Sequence, residues 1–308
     1  MMHKSDTIIV TGARGLVGST VVEHLETEGF SNVIGLGHRD CDLTDFAATA
    51  QVFARLKPAH IFHAAARVSG LGGNMKDQGR AYLENTLINT SVVDAARTSG
   101  AQKITVMGTN ATYPWPPQLP LREENIFNGR PHSSESGYGH AKRGMLAMLE
   151  AYGESYSLDW AYLVSGNLYG PRDKFDPING HVLPTLIWKF DQAATSLKPV
   201  HVWGDGSPLR DFLYVKDLAR IVRLAMDEVH GAINIGNGRT HSIREVVEKL
   251  SLLSNVSMSR VMFDPTKPNG RMDCTIDLSR LSALGFEPDY SLDRGLRETW
   301  EWFQENTP

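Results

Sequence analysis

TIIVTGARGLVGST, residues 7–20, joins a short apolar run to three glycines spaced three residues apart. A buried strand, a glycine turn and a helix in this order form a binding site for the pyrophosphate of a dinucleotide. Gly12 permits the sharp turn, Gly15 lets backbone N–H groups approach the pyrophosphate, and Gly18 lets the helix pack closely on the strand. The stretch therefore predicts a dinucleotide site at the start of the chain. The predicted contacts are Gly12, Arg14, Gly15, Leu16, Val17 and Gly18.

The alternation of short apolar runs and amphipathic stretches continues along the chain. Strands are predicted at 7–10, 32–37, 60–66, 103–109 and 160–170, and helices at 19–28, 83–98, 215–229 and 242–253. This rhythm predicts an α/β fold with a Rossmann-type doubly wound parallel sheet. After residue 170 the spacing becomes irregular and richer in proline and glycine. We expect a dinucleotide-binding domain at 1–170, to which parts of 200–235 return, and a smaller interleaved α/β substrate lobe at 171–308.

The composition argues against several classes of protein. The chain has 308 residues, of which 41% are hydrophobic and 21% charged, and its formal net charge of −4 gives no reason to expect a nucleic-acid partner. Two cysteines, Cys41 and Cys274, provide neither a disulfide framework nor the spacing of a metal site. No apolar stretch approaches the roughly 18 residues of a membrane span, and the N-terminus lacks a signal-peptide core. We expect a cytoplasmic protein that binds small molecules, without metal or membrane contact.

The end of the second strand indicates which dinucleotide binds. NAD is usually held there by an acidic residue, but residues 35–37 are Gly, Leu and Gly. Arg14, His38 and Arg39 are three potentially cationic groups that could surround a 2′-phosphate, which favours NADP(H). The alternative is that His38 and Arg39 form a solvated turn and that Asp40 binds the ribose.

Four further residues are expected to contact the cofactor. Asp42 and Leu43 are placed to meet the edge and the face of the adenine. Ala64 and Ala65 follow the third strand, where small side chains leave room for the cofactor. His63, which precedes them, is more typical of a structural residue at a strand end.

A tyrosine and a lysine four residues apart, Tyr138 and Lys142, share one face of a predicted helix. A phenol has an unperturbed pKa of about 10, so proton exchange at neutral pH needs a neighbouring cation. Lys142 would supply that cation and lower the pKa of Tyr138. Together with Thr109 at the end of the fourth strand, the pair predicts a catalytic set that exchanges a proton with a substrate oxygen.

Several longer motifs carry a resemblance to a known family. They are GARGLVGS at 12–19, HAAARVSG at 63–70, YGHAK at 138–142, NLYGPRDKFDPINGHVLP at 167–184, VWGDGSPLRDFLYVKDLA at 202–219, INIGNG at 233–238 and FDPTKPNG at 263–270. In these motifs the chain resembles the GDP-L-fucose synthases, which are extended short-chain dehydrogenase/reductases. The resemblance covers essentially the whole chain. It implies NADPH, a GDP-linked 4-keto sugar, epimerisation at C3 and C5, and reduction at C4.

The resemblance also implies roles for individual residues. The implied catalytic residues are Thr109, Tyr138 and Lys142 for the reduction and His181 as the acid of the epimerisation. The match is loose near Cys274, where the family has a basic phosphate-binding residue for which Arg271 could substitute. The implied substrate contacts are Asn110, Asn167, His181, Val182, Lys189, Trp203, Arg210 and Arg271.

One position departs from the family pattern. The turn after the fourth strand reads GTNATYP at 108–114, where the family reads roughly G-S-S-C-x-Y-P. Tyr113 and Pro114 fix the register, so Ala111 stands where the family has the Cys that removes the protons at C3 and C5. A methyl group cannot accept a proton, and general-base help is worth about 10² to 10⁴ in rate. We therefore predict a C4 ketoreductase that has lost the epimerase activity.

Three alternatives stay open at the level of sequence. The first is a bifunctional GDP-L-fucose synthase, and the second is an NAD-retaining nucleotide-sugar epimerase that oxidises and re-reduces C4 with the same Tyr and Lys. The third is a non-catalytic NADP-binding protein that keeps only the fold. A homodimer is expected, because the family pairs through helices that here begin near Leu83 and Tyr138.

Overall fold

The computed structural model describes residues 1–68, 70–177, 180–267, 269, 273 and 275–306. The strands are β1 Ile8–Thr11, β2 Val33–Leu36, β3 His60–His63, β4 Lys103–Met107, β5 Asp159–Ser165, β6 Asn167–Tyr169, β7 Val200–Trp203, β8 Leu209–Tyr214, β9 Gly231–Ile235, β10 Thr240–Ser242 and β11 Val261–Asp264. The helices are α1 Leu16–Thr27, α2 Phe46–Leu56, α3 Leu71–Lys76, α4 Gln78–Thr98, α5 Ser136–Tyr156, α6 Val182–Ala194, α7 Val215–Glu228, α8 Ile243–Ser254, α9 Ser279–Ala283 and α10 Leu292–Asn306.

The main sheet has six parallel strands in the order β2-β1-β3-β4-β5-β9. Strand β2 pairs with one side of β1, and the chain then crosses over to form β3 on the other side of β1. This reversal opens a crevice beyond the carboxyl ends of β1 and β3. This topology confirms the predicted Rossmann-type doubly wound sheet. Two smaller sheets, β10-β8-β6 and β11-β7, hold the remaining strands. The domain boundary at residue 170 stays a prediction.

The predicted strand at 160–170 is wrong as a single element. The chain forms β5 in the main sheet, passes Gly166, and continues as β6 in the three-stranded sheet. A Cβ at Gly166 would lie 3.4 Å from the Ile276 side chain and 3.5 Å from the Asp211 carbonyl oxygen. A residue without a side chain therefore marks the place where the chain changes sheets.

Other predicted boundaries shift by a few residues. The third and fourth strands end at His63 and Met107 rather than at 66 and 109, because the chain turns out of the sheet to line the crevice. Helix α4 begins at Gln78 rather than at 83, where the Asp77 carboxylate accepts the backbone N–H of Arg80 at 3.4 Å and caps the helix.

Helices cover both faces of the main sheet and enclose its core. One cluster of buried residues joins the sheet to α1 and α7, and a second joins it to α2, α4 and α5. Ile8, Ile9 and Val10 of β1 have no exposed surface, and burial of each such side chain stabilises the fold by about 1.5–3 kcal/mol. A third cluster lies under the smaller sheets and α6, α8 and α10. Among the described residues, no helix is both long enough and apolar enough to cross a lipid bilayer.

Candidate active site

A cleft of about 1150 Å³ lies at the carboxyl edge of the main sheet and extends to α6 and the smaller sheets. The predicted site residues that line it are Gly12, Arg14, Gly15, Leu16, Val17, Gly18, His38, Asp42, Leu43, Ala64, Ala65, Thr109, Asn110, Tyr138, Lys142, Asn167, His181, Val182, Lys189, Trp203 and Arg210. Arg39 is exposed and does not line the cleft. Arg271 and Cys274 lie outside the described residues.

The glycine turn is shaped by close approaches of the backbone. Gly12 has φ +69°, and a Cβ there would lie 2.9 Å from the Ala65 nitrogen. A Cβ at Gly18 would lie 2.3 Å from the Gly12 carbonyl oxygen. Helix α1 begins at Leu16, and no side chain caps its first turn. Its backbone N–H groups and its dipole therefore favour an anion at this end of the cleft.

Arg14 lies across the end of β2. Its guanidinium donates to Asp40 Oδ2 at 3.2 Å, and the same oxygen accepts the Gly37 N–H at 2.8 Å. A Cβ at Gly37 would lie 2.7 Å from Arg14 Nε, so a larger residue would displace the side chain. Of Arg14, His38 and Arg39, the first two thus line the cleft, and Asp40 holds the Arg14 side chain.

Tyr138 and Lys142 lie on α5, as the spacing predicts. Lys142 is buried, its Nζ donates to the Met107 carbonyl oxygen at 2.8 Å, and burial lowers its pKa to about 7. Burial also raises the pKa of the Tyr138 phenol, and the charge of Glu135 adds to the rise. The expected lowering of the Tyr138 pKa by Lys142 is therefore wrong. Lys142 Nζ is 6.0 Å from the centre of the Tyr138 ring, and burial is the main cause that sets the pKa of the phenol.

A buried hydrogen-bonded network fixes α5 against the glycine turn. The Asn89 amide nitrogen donates to the Ala141 carbonyl oxygen at 3.3 Å. The other side-chain atom of Asn89, Oδ1, lies 3.3 Å from His63 Nε2 and can only accept a hydrogen bond. Nε2 therefore carries the hydrogen, and His63 Nδ1 accepts the Thr11 hydroxyl at 2.7 Å. Burial, with a smaller contribution from Lys142, lowers the pKa of His63 to about 3 and keeps it neutral. His63 is thus a structural residue that joins β1, β3, α4 and α5.

The turn at 108–114 places neighbouring residues in different surroundings. Residues Asn110–Thr112 form a short 3-10 helix, which Thr109 caps by accepting the Ala111 N–H at 3.2 Å. Thr109 and Asn110 line the cleft, whereas Ala111 is 1% exposed and does not line it. A Cβ at Gly139 would lie 2.5 Å from the Ala111 carbonyl oxygen, so this turn packs directly on α5 beside Tyr138.

Comparison with known proteins gives the family. The profile described as "NAD dependent epimerase/dehydratase family" matches residues 8–236. The chain belongs to this family. Its match to 229 of 308 residues (236 − 8 + 1) covers the main sheet from β1 to β9.

Individual known proteins are similar over the whole chain. A putative GDP-L-fucose synthase 2 from Arabidopsis thaliana is 36% identical over 309 residues, covering 99% of this chain and 94% of the relative. A GDP-6-OMe-4-keto-L-xylo-heptose reductase from Campylobacter jejuni has a TM-score of 0.92 at 26% identity and 99% coverage of both chains. A GDP-mannoheptose C4 reductase from the same organism, solved with NADP bound, has a TM-score of 0.89 at 27% identity, with 99% and 100% coverage. These matches confirm the resemblance inferred from the motifs.

The sequence did not single out several side chains that line the cleft. Glu135, Arg67 and Asp173 are the clearest examples. Glu135 immediately precedes α5, and Arg67 pairs with Glu84 of α4 at 3.0 Å. Asp173 lies within the motif at 167–184, where a carboxyl group eight residues before His181 is the signal that could have found it.

Proposed function

We propose that the protein is an NADPH-dependent reductase of the C4 ketone of a GDP-linked sugar and that it does not invert C3 or C5. One observation carries the proposal: Thr109, Tyr138 and Lys142 line a single cleft with the glycine turn, whereas Ala111 is buried outside that cleft. The reductive residues are complete, and the position at which the family has its base offers no proton acceptor.

The cleft has features that suit NADPH. Only glycine fits at residues 12 and 18, the first turn of α1 has no side-chain cap, and Arg14 lies beside the end of β2. These groups would hold the pyrophosphate and the 2′-phosphate. When bound, NADPH supplies the hydride that adds to C4. The NADP-bound GDP-mannoheptose C4 reductase supports this choice of cofactor and of nucleotide.

The three catalytic residues would act on the C4 oxygen. Thr109 Oγ1 accepts the Ala111 N–H, so its own hydrogen is available to the carbonyl oxygen of the substrate. Burial keeps Tyr138 protonated, and the phenol would give its proton to the alkoxide that develops at C4. Charged Lys142 would stabilise the phenolate that results. Each group acts on charge that develops during reduction, and none removes a proton from carbon.

The far end of the cleft offers contacts for the nucleotide diphosphate. Lys189 of α6 donates to the His201 carbonyl oxygen at 2.8 Å, and burial lowers its pKa. Arg210 of β8 and Trp203 of β7 line the same region. We assign the diphosphate to the two cations and the base to the neighbourhood of the indole ring.

The direct test is to incubate the protein with NADPH and a GDP-linked 4-keto hexose and to follow NADPH oxidation. The UDP-linked sugar serves as the matched control for the nucleotide, and the product is identified by NMR. We expect NADPH oxidation and a C4 alcohol with the GDP sugar. No oxidation with any GDP-linked 4-keto hexose or heptose would reject the proposed function.

One alternative has its own support. The 36% identity to a putative GDP-L-fucose synthase favours a bifunctional enzyme that epimerises C3 and C5 before the reduction. In that case another residue of the cleft must act as the base. Exchange of the C3 and C5 hydrogens with solvent separates the two functions.

We also propose a cytoplasmic homodimer. Three large apolar side chains of α4, Tyr82, Leu83 and Leu87, are exposed, and α4 packs beside α5. A second copy of α4 and α5 would cover them in a four-helix contact. Light scattering at micromolar concentration should give the mass of a dimer, and a Leu83→Glu, Leu87→Glu variant should give that of a monomer. A monomeric wild type would contradict this proposal.

A further inference from the structure

Asp173 lies between β6 and α6 and lines the same cleft as Thr109 and Tyr138. The proposed reduction gives it no role. Its Oδ1 accepts the backbone N–H of Lys174 at 2.7 Å. Its Oδ2 is buried, and nothing in the described part of the chain donates to it. A buried carboxylate oxygen without a donor is unfavourable, so this atom marks a place where a further donor is expected.

His181 lines the same cleft as Asp173 and is the candidate for that donor. Burial raises the pKa of the Asp173 carboxyl, and His181 opposes the rise. The neighbouring guanidinium of Arg172 is directed elsewhere, because it forms a 2.6 Å ion pair with Glu23 of α1. His181 lines the cleft at the residue that precedes α6. The two side chains therefore line the same cleft, and the charge of His181 acts on the Asp173 carboxyl group.

The backbone is constrained next to Asp173 and at His181. Arg172 has φ +66°, which is uncommon for a residue with a side chain and turns the chain sharply before Asp173. Further along, the Asp176 carbonyl oxygen accepts the Thr185 hydroxyl at 2.9 Å, and the Thr185 N–H donates to the His181 carbonyl oxygen at 3.1 Å. The turn is thus tied to α1 on one side and to the first turn of α6 on the other.

We propose that Asp173 is a positioning residue for His181: with the sugar bound, its Oδ2 accepts one ring N–H and directs the other ring nitrogen at a sugar oxygen. In the charged imidazole both nitrogens are donors, so one serves the carboxylate and the other the substrate. The role of Asp173 as a partner of His181 does not depend on the identity of the sugar. The contact with a sugar oxygen rests on the proposed function.

The first test is an NMR comparison of ring nitrogen signals in protein labelled with ¹⁵N-histidine. His181→Gln identifies the His181 signals among the 11 histidines of the chain. Asp173→Asn should shift the ring nitrogen signals of His181, because an amide replaces the carboxylate that accepts its ring N–H. Asp191→Asn, on α6 and outside the cleft, is the control and should leave the signals unchanged. Unchanged His181 signals in Asp173→Asn would overturn the proposal.

A reciprocal measurement does not depend on the folding of the Asp173 variant. Coupling between two titrating groups acts equally on both, so His181→Gln should raise the proton affinity of Asp173, observed through ¹³C-labelled aspartate carboxyl signals. Equal affinity in the wild type and in His181→Gln would refute the coupling even if Asp173→Asn cannot be purified.

The second test is kinetic and uses the GDP-linked 4-keto sugar and NADPH. Asp173→Asn should raise the KM for the sugar about tenfold, with a smaller effect on kcat, because it weakens a substrate contact. In the His181→Gln background the same change should have no further effect. Additive losses in the double variant would contradict a role through His181. If the protein oxidises no NADPH, the proposed function is rejected. The NMR measurements still decide the role of Asp173 in that case.

Discussion

Thr109 and Ala111 are two residues apart in one turn, and the fold gives them opposite surroundings. The Thr109 hydroxyl caps the 3-10 helix and lines the cleft, beside the region of Tyr138 and Lys142. Ala111 lies in the same turn but is buried, next to Gly139 of α5. The residue that we propose polarises the carbonyl is thus present and lines the cleft, and the position that would hold the family's base carries a methyl group and is buried.

The contrast teaches how one scaffold would keep a reductive site while the same turn loses the residue needed for a second function. Packing of the turn on α5 depends on the backbone of Ala111, whose carbonyl oxygen lies against Gly139. The side chain contributes little to that contact. A change of Cys to Ala at this position would therefore leave the position of Tyr138 unchanged, and the reductive half would stay intact.

The largest expected effect comes from removal of the Tyr138 hydroxyl. Tyr138→Phe should lower kcat by about 10³ or more, because we propose the phenol as the proton donor to the C4 oxygen. NADPH binding, measured by fluorescence titration, should change little, since the hydroxyl acts on the substrate. Substantial residual reduction would show that another group donates the proton.

Thr109 should have the next largest effect. Thr109→Ala removes a donor to the developing oxyanion and should lower kcat by about 10². Thr109→Ser keeps the hydroxyl, both as donor and as cap of the 3-10 helix, and should retain most of the activity. If the Ala and Ser variants lose the same rate, the hydroxyl has no role in the reaction.

The pH dependence should report Lys142. Its pKa is lowered to about 7 by burial, whereas the pKa of Tyr138 is raised. The charged ammonium is the active form, so kcat/KM for the sugar should fall about tenfold per pH unit as the pH rises above 7. Because burial lowers the pKa of Lys142 to about 7, the ammonium is charged below pH 7, and activity is retained there. A flat profile between pH 6 and pH 9 would reject this assignment.

The cofactor preference should show the smallest effect. NADPH should bind at least about tenfold tighter than NADH, a difference of about 1.4 kcal/mol. Arg14→Ala should bring the two affinities close together, because Arg14 lies beside the expected 2′-phosphate. Arg39→Ala is the matched control, since Arg39 does not line the cleft. If the two variants lose the same NADPH affinity, a general effect of positive charge explains the preference, and a direct contact between Arg14 and the 2′-phosphate does not.

Much of the fold follows from local sequence, and the exceptions have physical reasons. Buried strands such as β1 are continuous apolar runs, so they can be predicted from the sequence. The change of sheet at Gly166 is not readable, because it depends on contacts with Ile276 and Asp211, which are distant in sequence. The pKa of Tyr138 was mispredicted for a similar reason: spacing reveals the neighbouring Lys142 and does not reveal the burial of both side chains.

The candidate site was predictable where a motif is compact. The glycine turn and the Tyr-Lys pair lie within a few residues along the chain, and their members line one cleft. Arg39 was placed in the cleft because it is a cation at the end of β2, but the turn leaves it exposed. The significance of Asp173 cannot be found from the sequence, because it depends on a buried oxygen that has no donor among the described residues.

The central claim is tested most directly by deuterium incorporation during turnover in D₂O. The protein is incubated with NADPH and a GDP-linked 4-keto sugar, alongside a mixture without enzyme and a GDP-L-fucose synthase as the positive control. We predict a C4 alcohol with no enzyme-dependent deuterium at C3 or C5, because Ala111 cannot accept a proton from either carbon. The positive control should carry deuterium at both positions. Enzyme-dependent deuterium at C3 or C5 of the product of this protein would show that another residue is the base and would contradict the account.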